Sequence, residues 1–365
     1  MRLAFFTSGR LVPSSRFRVL QFLPGLHQAG HECLVLPSRP EKYGSLPWLG
    51  FRWSGLVKRW FRWTDLKALD RWNPDIVVLE RELFSDASFD VEQALRRRAR
   101  KLVLDMDDGL FVLHRHKFEV LCGLSDLVIA GNPLLADRVR PINPRVVVIP
   151  TCVDLEKYQV PGAKCPAPKR SVEHSARGTP VVLGWTGTAA NIEYLDLLRE
   201  PLRQLAREFP IELRVIAESV HPLRRLRFDQ DGIPTRFVRW STETEVTDLS
   251  TFDVGLMPMP DTDWTRYKCG LKILQYMAAG IPAIASPVGV NVEIIQHGVT
   301  GWLASTPEEW LNVLRQVLTT RADHAAVIAR ARDLVKQRYS VQAQLPQLLE
   351  CFSSVVNAPA KTPGS

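Results

Sequence analysis

Three acids close one short apolar run, Leu102-Val103-Leu104-Asp105-Met106-Asp107-Asp108-Gly109. If the run is a strand, Asp105 and Asp107 share a face by its period of two. They then stand at a carboxyl end, where open parallel sheets bind ligands. A carboxylate there can orient a hydroxyl or take its proton. The Asp-x-Asp spacing also admits a metal, and acids capping the next turn are the structural alternative. Glu80-Arg81-Glu82 ends a second apolar run and either lines the same cleft or forms a local ion pair. Near the N-terminus, Gly9 permits a tight turn after Leu3–Thr7. Ser14 or Ser15 can cap the next helix, which carries Arg16 and Arg18, either phosphate contacts or surface cations. Far along the chain, Gly270 opens a helical pattern through Lys272, Gln275 and Met277 that stops at Gly280 and Pro282. The N–H groups at that helix start, with Lys268 and Lys272, form an anion site suited to a diphosphate. The plain alternative is two solvated lysines. Lys272 and Gln275 share one helix face.

The elements that must hold these residues alternate. Candidate strands are 3–7, 33–36, 75–79, 102–104, 127–130 and 146–149, then 181–185, 212–216, 236–238, 253–257 and 283–285. Amphipathic helical patterns lie between most of them. Near-continuous apolar strands alternating with helices mean parallel sheets covered on both faces. The stretch 159–180 has four prolines and little periodicity, and reads as a linker. Two α/β domains follow, 1–158 and 181–340. The remainder, 341–365, is a C-terminal helix with a loose tail. Two doubly wound sheets facing each other would make a cleft for the chemistry.

Composition narrows the class. At 365 residues, 45% apolar and 24% charged, the chain reads as an ordinary globular enzyme of two domains. The net charge is +8. Residues 1–158 hold 24 basic and 18 acidic side chains, so +6 of it lies there, against +2 in the remainder. A basic N-terminal half favours an anionic partner. None of the six cysteines forms a Cys-x-x-Cys pair, which argues against zinc-finger and redox spacings. His114 and His116, two apart, do not share a helix face and are no zinc pair. The apolar run Leu3–Phe6 is too short for a signal peptide, and no 18-residue apolar stretch occurs. A cytoplasmic protein with reduced thiols is expected.

One segment is unusual. Residues 46–63 hold six aromatics, four basic residues and no acid. Leu49, Trp53, Leu56, Trp60 and Trp63 recur at helical spacing, with Lys58, Arg59 and Arg62 for polar flanks. Such a helix either lies in the interface of an anionic membrane or packs its stripe on the N-terminal sheet. Leu66, Leu69 and Trp72 extend the stripe toward a strand. The same aromatics beside cations fit a nucleic-acid binder only superficially, since no recognised binding module accompanies them.

The stretch Phe252–Leu303 contains Leu274-Gln275-Tyr276-Met277-Ala278-Ala279-Gly280-Ile281-Pro282-Ala283-Ile284-Ala285, followed by Gly289, Glu293, Gly298 and Gly301. It resembles the family 4 glycosyltransferases, whose Glu-x7-Glu motif runs into Leu-Glu-Ala-Met-Ala-x-Gly-x-Pro-Val-Ile-Ala. Leu183-Gly184-Trp185-Thr186-Gly187 is similar to the family's glycine turn beside the donor phosphates. Cys152-Val153-Asp154 is similar to its Pro-Asn-Gly-Val-Asp element. The resemblance covers most of residues 1–340 and is strong over 252–303. It departs at the motif acids, where Tyr267 and Gln275 replace the two glutamates.

The resemblance implies the GT-B fold, two Rossmann-like doubly wound parallel-sheet domains facing across a cleft. It implies a glycosyltransferase, retaining and metal-independent, with no tightly bound cofactor and a UDP- or GDP-sugar as donor. Thr186, Gly187, Lys268, Lys272, Gln275 and Glu293 would bind the donor, Glu293 being otherwise an ordinary acid of a helix start. Gly9, Arg16 and Arg18 would face the acceptor, and Asp107, with Asp108 or Asp105, would handle its hydroxyl. The acceptor class is a glycan, a lipid-linked sugar or a polysaccharide of the cell envelope. Peripheral contact with an anionic membrane is expected, and nucleic acid is not. The missing glutamates keep a non-catalytic sugar-nucleotide-binding protein open, and the fold a sugar-nucleotide epimerase.

Overall fold

The computed structural model describes residues 1–46, 48, 50–158, 179–320 and 324–359. Its contacts divide the chain into two units. One is Met1–Cys152 with Tyr267–Cys269 and Val341–Ser365; the other is Val153–Arg266 with Gly270–Ser340. Most of the linker expected at 159–180 lies outside the described residues.

The first unit is built on six strands, β1 (Arg2–Thr7), β2 (Glu32–Pro37), β3 (Ile76–Glu80), β4 (Leu102–Met106), β5 (Leu127–Ala130) and β6 (Val146–Val148). They pair in the order β2-β1-β3-β4-β5-β6, every pair parallel. Strand alternation sorts the core. Leu3 and Phe5 of β1 face one side, where the C-terminal helix Val341–Asn357 packs. The Phe5 and Phe352 rings meet edge to face at 6.5 Å. Ala4 and Phe6 face the other side, with Leu66 and Leu69 of the helix Gly50–Trp72. The final helix is therefore part of the first unit's core, although the whole second unit precedes it in sequence. The loose tail expected after it is corrected at its start, where the Lys101 ammonium donates to the Ala358 carbonyl at 2.6 Å. Residues 360–365 lie outside the described residues.

The second unit has β7 (Val181–Thr186), β8 (Ile211–Ala217), β9 (Thr235–Arg239), β10 (Val254–Met257), β11 (Ala283–Ala285) and β12 (Trp302–Leu303). Their order is β12-β11-β10-β7-β8-β9, again parallel. The eleven strands expected from sequence are all present, within two residues at their ends. The twelfth, β12, has two residues and no period to detect. Gly184 lies inside β7 rather than in a turn, opposite Gly255 of β10. A Cβ on Gly184 would meet the Phe252 ring at 2.0 Å, and one on Gly255 the Tyr276 ring at 2.5 Å. These strand glycines make room for aromatic rings laid on the sheet.

Candidate functional site

In the second unit the strand order reverses between β7 and β10, so the ligand crevice belongs at their carboxyl ends. Buried Thr186 ends β7, and its N–H donates to the Tyr276 hydroxyl at 3.2 Å. That hydroxyl donates to the Leu256 carbonyl of β10 at 3.1 Å. One phenol thus ties both strands to the helix Leu271–Ala278. Beyond Thr186, a Cβ on Gly187 would stand 2.7 Å from Lys272 Cε and 2.8 Å from the Trp185 ring. Glycine here lets the Lys272 ammonium lie over the indole, 5.3 Å from a ring centroid, a cation–π arrangement. Gly270 precedes the helix at φ +67°, a left-handed turn that suits glycine. The first N–H groups of a helix lack intrahelical partners, and with a lysine on the first turn they attract an anion.

Gln275 is buried one turn further on, its Nε2 donating to Glu245 Oε1 at 3.4 Å. The Trp240 indole N–H donates to the same oxygen at 3.1 Å. Nothing local in the sequence marks Glu245, which starts the short helix Glu245–Leu249. Glu293 is exposed in the first turn of the helix Asn291–Ile294.

In the first unit the order reverses between β1 and β3, and that crevice is filled by the chain itself. The Glu80 carboxylate accepts from the Ser8 N–H (2.8 Å) and from the hydroxyls of Ser8, Ser14 and Ser15 (3.0, 2.6 and 2.5 Å). Ser14 and Ser15 therefore do not cap their helix, whose N-cap is Val12 with no side-chain bond. Gly9 is buried, and a Cβ there would meet Glu41 Oε1 at 2.7 Å. Glu41 accepts from the N–H groups of Arg10 and Leu11, holding the turn.

The arginines part company. Arg16 is half-buried, its guanidinium 5.2 Å from the Phe17 ring centroid. Arg18 is buried and bound to Asp105, with Nη2–Oδ1 at 2.5 Å and Nε within 3.2 Å of both carboxylate oxygens. Its Nη1 donates to the Ile149 carbonyl at 2.8 Å. The expectations of Arg18 as an acceptor contact and of Asp105 as a catalytic partner are corrected. Each neutralises the other inside the sheet edge.

Asp107 and Asp108 lie just beyond β4. Arg81 spans both, with Nη1 2.8 Å from Asp108 and Nε 3.7 Å from Asp107 Oδ1. Arg81 sits at φ +57° directly after β3, a left-handed conformation uncommon for a residue other than glycine and of the sort found where the surrounding geometry is over-determined. Asp107 Oδ1 is buried with no hydrogen-bond partner among the described residues. Burial pushes the Asp107 carboxyl up to about 7; Arg81 opposes the shift, and Asp108 and Glu80 reinforce it. The Asp107 carbonyl accepts from the Cys269 thiol at 3.1 Å, which burial holds protonated, its pKa raised to about 12. Gly131, after β5, leaves space for that sulfur, since a Cβ there would lie 2.6 Å away. Cys269 is thus the neighbour that local sequence does not reveal, whereas Arg81 comes from the Glu80-Arg81-Glu82 run.

Lys268 also belongs here. Its ammonium is 3.7 Å from Asp108, and Tyr267–Cys269 cluster with the first unit. Lys272, expected beside it at a donor anion, belongs to the second unit. Tyr267, at the position of the first motif glutamate, is an anchor. Its hydroxyl accepts from Arg138 at 2.9 Å, its carbonyl from Asn132 at 2.9 Å, and its ring meets Phe111 at 4.7 Å. The acids do not gather as a ligand set, because Asp105 points to Arg18 and Asp108 to Arg81. Among the described residues no group of three or more His, Cys, Asp or Glu side chains is placed to hold a metal ion.

Two six-stranded, doubly wound parallel sheets, each with its own crevice-forming reversal, define the GT-B class of fold. Solved structures agree. Sucrose-phosphate synthase from Thermosynechococcus elongatus is 15% identical, with a TM-score of 0.74 over 98% of this chain and 100% of that one. Anabaena HepE in complex with UDP and glucose is 16% identical, with a TM-score of 0.69 over 97% and 100%.

Residues 180–320 match the family model described as glycosyl transferases group 1, a match to the second unit's part of the chain. Over 199 residues it is 26% identical to the GDP-mannose-dependent alpha-(1-6)-phosphatidylinositol dimannoside mannosyltransferase of Mycobacterium tuberculosis, 54% of this chain and 49% of that protein. Over 109 residues it is 31% identical to the putative colanic acid biosynthesis glycosyltransferase WcaL of Salmonella typhimurium, 28% and 27% of the two chains. The chain thus spans at most about half the length of these curated relatives.

Proposed function

We propose that the protein transfers a sugar from a nucleoside diphosphate sugar to a hydroxyl of a glycan, lipid-linked or polysaccharide acceptor in cell-envelope or exopolysaccharide synthesis. The observation that carries this is Lys272 over Trp185 beside Gly187, at the crevice of the domain that matches the family. In this reading the diphosphate binds the start of the helix Leu271–Ala278, and Lys272 stabilises the charge that develops as it leaves. The bond from the anomeric carbon to the phosphate oxygen breaks, and the acceptor oxygen forms the new bond with retention. Asp107 takes the acceptor proton, a role suited to a carboxyl with a pKa near the working pH. Arg81 and Lys268 position the two acids. This use of cations on the leaving group needs no bound metal. A UDP- or GDP-sugar fits the reading, since HepE is described with UDP and the mycobacterial relative as GDP-mannose-dependent.

A non-catalytic sugar-nucleotide-binding protein is the second reading, favoured by Tyr267, which is built into the core at a motif position. Thermal unfolding with UDP, GDP, ADP, CMP and dTDP tests the donor site. A ligand at 100-fold its dissociation constant stabilises by roughly 2.7 kcal/mol. One selective shift, lost in Lys272→Ala, supports the site; no shift with any of them overturns it. Product formation from the matching sugar nucleotide then separates the enzyme from the binding protein.

A further inference from the structure

The helix Gly50–Trp72 buries its polar side. Ser54, Lys58, Arg62 and Asp65 form the inner stripe. Arg62 donates to the Thr7 carbonyl at the end of β1 (2.6 Å) and to the Leu36 carbonyl in β2 (2.7 Å). Lys58 donates to the carbonyls of Lys42 and Gly44, each at 2.7 Å. Cations that satisfy buried carbonyls hold the helix by this side, and the sequence expectation of Lys58 and Arg62 as polar flanks is corrected. Arg59, on a flank, pairs with Asp86 at 3.1 Å and Asp90 at 2.9 Å.

The outer side is apolar. Trp53, Leu56, Trp60 and Trp63 are 42–63% exposed there. Their spacing alternates between three and four residues, the heptad seam through which two helices pair. Such a seam is narrower than the broad apolar face of a helix that lies on a core. Exposed Lys67 takes the next seam position and ends the apolar run.

We infer that this seam pairs with the same seam of a second copy of the chain, antiparallel about a two-fold axis. An isologous contact sets each residue against another of the same patch. Antiparallel pairing centred between Leu56 and Trp60 sets Leu56 against Trp60, and Trp53 against Trp63. A smaller side chain then meets a larger one at the centre. Parallel pairing would instead set every tryptophan against its own copy. The area agrees. Together with Trp48, which is 85% exposed, the patch presents about 700 Å² on each copy. That is more than the roughly 300–600 Å² of the largest patch on a typical monomer. A pair would bury about 1,400 Å², inside the roughly 1,200–2,000 Å² of specific interfaces. Tryptophan is also enriched among the residues that carry interface binding energy. Lys58, Arg59 and Arg62 are already buried or paired, so the flanks add little charge to select an anionic partner.

Sedimentation velocity of the full chain over about 1–100 μM tests the pairing. A discrete dimer is expected. Trp60→Ser and Leu56→Glu are each expected to weaken it roughly thirtyfold or more. Both positions are exposed, and unchanged circular dichroism with unchanged nucleotide melting shifts separates lost pairing from lost folding or a lost donor site. The register is read by disulfide formation. Trp53→Cys and Trp63→Cys chains are expected to crosslink when mixed and not alone, because antiparallel pairing keeps like positions about 15 Å apart. Crosslinking of Trp53→Cys with itself overturns the antiparallel register. A monomer throughout the concentration range overturns the inference, as does a dimer that Trp60→Ser and Leu56→Glu leave intact. So does a monomer that sediments instead with vesicles of phosphatidylcholine and phosphatidylglycerol, which would make lipid the occupant.

Discussion

Gln275 donates to Glu245 Oε1 at 3.4 Å inside the second unit. The family motif has a glutamate where Gln275 stands, so the carboxylate has not left the neighbourhood. It arrives instead from a helix 30 residues earlier, held by the Trp240 indole. A glutamate at 275 would place two carboxylates in contact. Glutamine is the residue that turns that repulsion into a hydrogen bond.

Gln275→Glu is therefore predicted to destabilise the second unit by about 1–3 kcal/mol at neutral pH. Repulsion raises one carboxyl above its unfolded value. The loss is then fully present above that raised pKa and relieved as pH falls through it. Adding Glu245→Gln should restore stability at pH 7. Urea unfolding of the single and double variants measures this, and an unaltered midpoint for the single variant refutes it.

Gly187→Ala and Lys272→Ala are predicted to weaken nucleotide binding together. The added methyl has nowhere to go but into Lys272 and the Trp185 ring, and a lost charge-assisted bond is worth about 1.5–3 kcal/mol. Calorimetric titration with the nucleotide selected by melting should show a roughly tenfold to hundredfold loss in each. Unchanged affinity in Gly187→Ala would disconnect the glycine from the ligand.

Asp107→Asn is predicted to lower kcat by about 10²–10⁴ while leaving donor affinity intact. A carboxyl with a pKa near 7 in the fold and a lower value when unfolded contributes stability that is present at acid pH. That contribution is lost as pH rises through 7. The variant should consequently melt higher than wild type at pH 8, by about 2–4 °C for each kcal/mol lost, with the difference falling away toward about pH 4, the range of the unfolded carboxyl. Melting curves at the two pH values, beside the pH–rate profile, distinguish this from a purely structural aspartate.

Arg18→Ala and Asp105→Ala are each predicted to cost about 3–5 kcal/mol, because each strands a buried charge. Denaturant unfolding followed by a probe in the first unit is the measurement. A loss below about 1 kcal/mol, the range of exposed pairs, would mean that the pair is hydrated.

Phe352→Ala is predicted to cost about 3–5 kcal/mol, since its ring is fully buried among Leu3, Phe5 and Leu26. Unfolding of the first unit, far from Phe352 in sequence, is the readout. Destabilisation confined to the second unit would contradict the assignment of the final helix.

The local order of this protein was legible along the chain. Short β-branched runs placed eleven strands, glycines and prolines bounded the helix Leu271–Ala278, and spacing announced the helix Gly50–Trp72. These depend on propensity and period, which neighbouring residues carry. Which face of that helix lies inside was decided elsewhere, by the Thr7 and Leu36 carbonyls 55 and 26 residues away from Arg62. The same holds for Arg18 with Asp105, 87 residues apart, for Lys268 with Asp108, and for Gln275 with Glu245. A charged side chain looks solvent-facing from its own neighbours. Only the fold brings the distant carbonyl or carboxylate that makes burying it favourable.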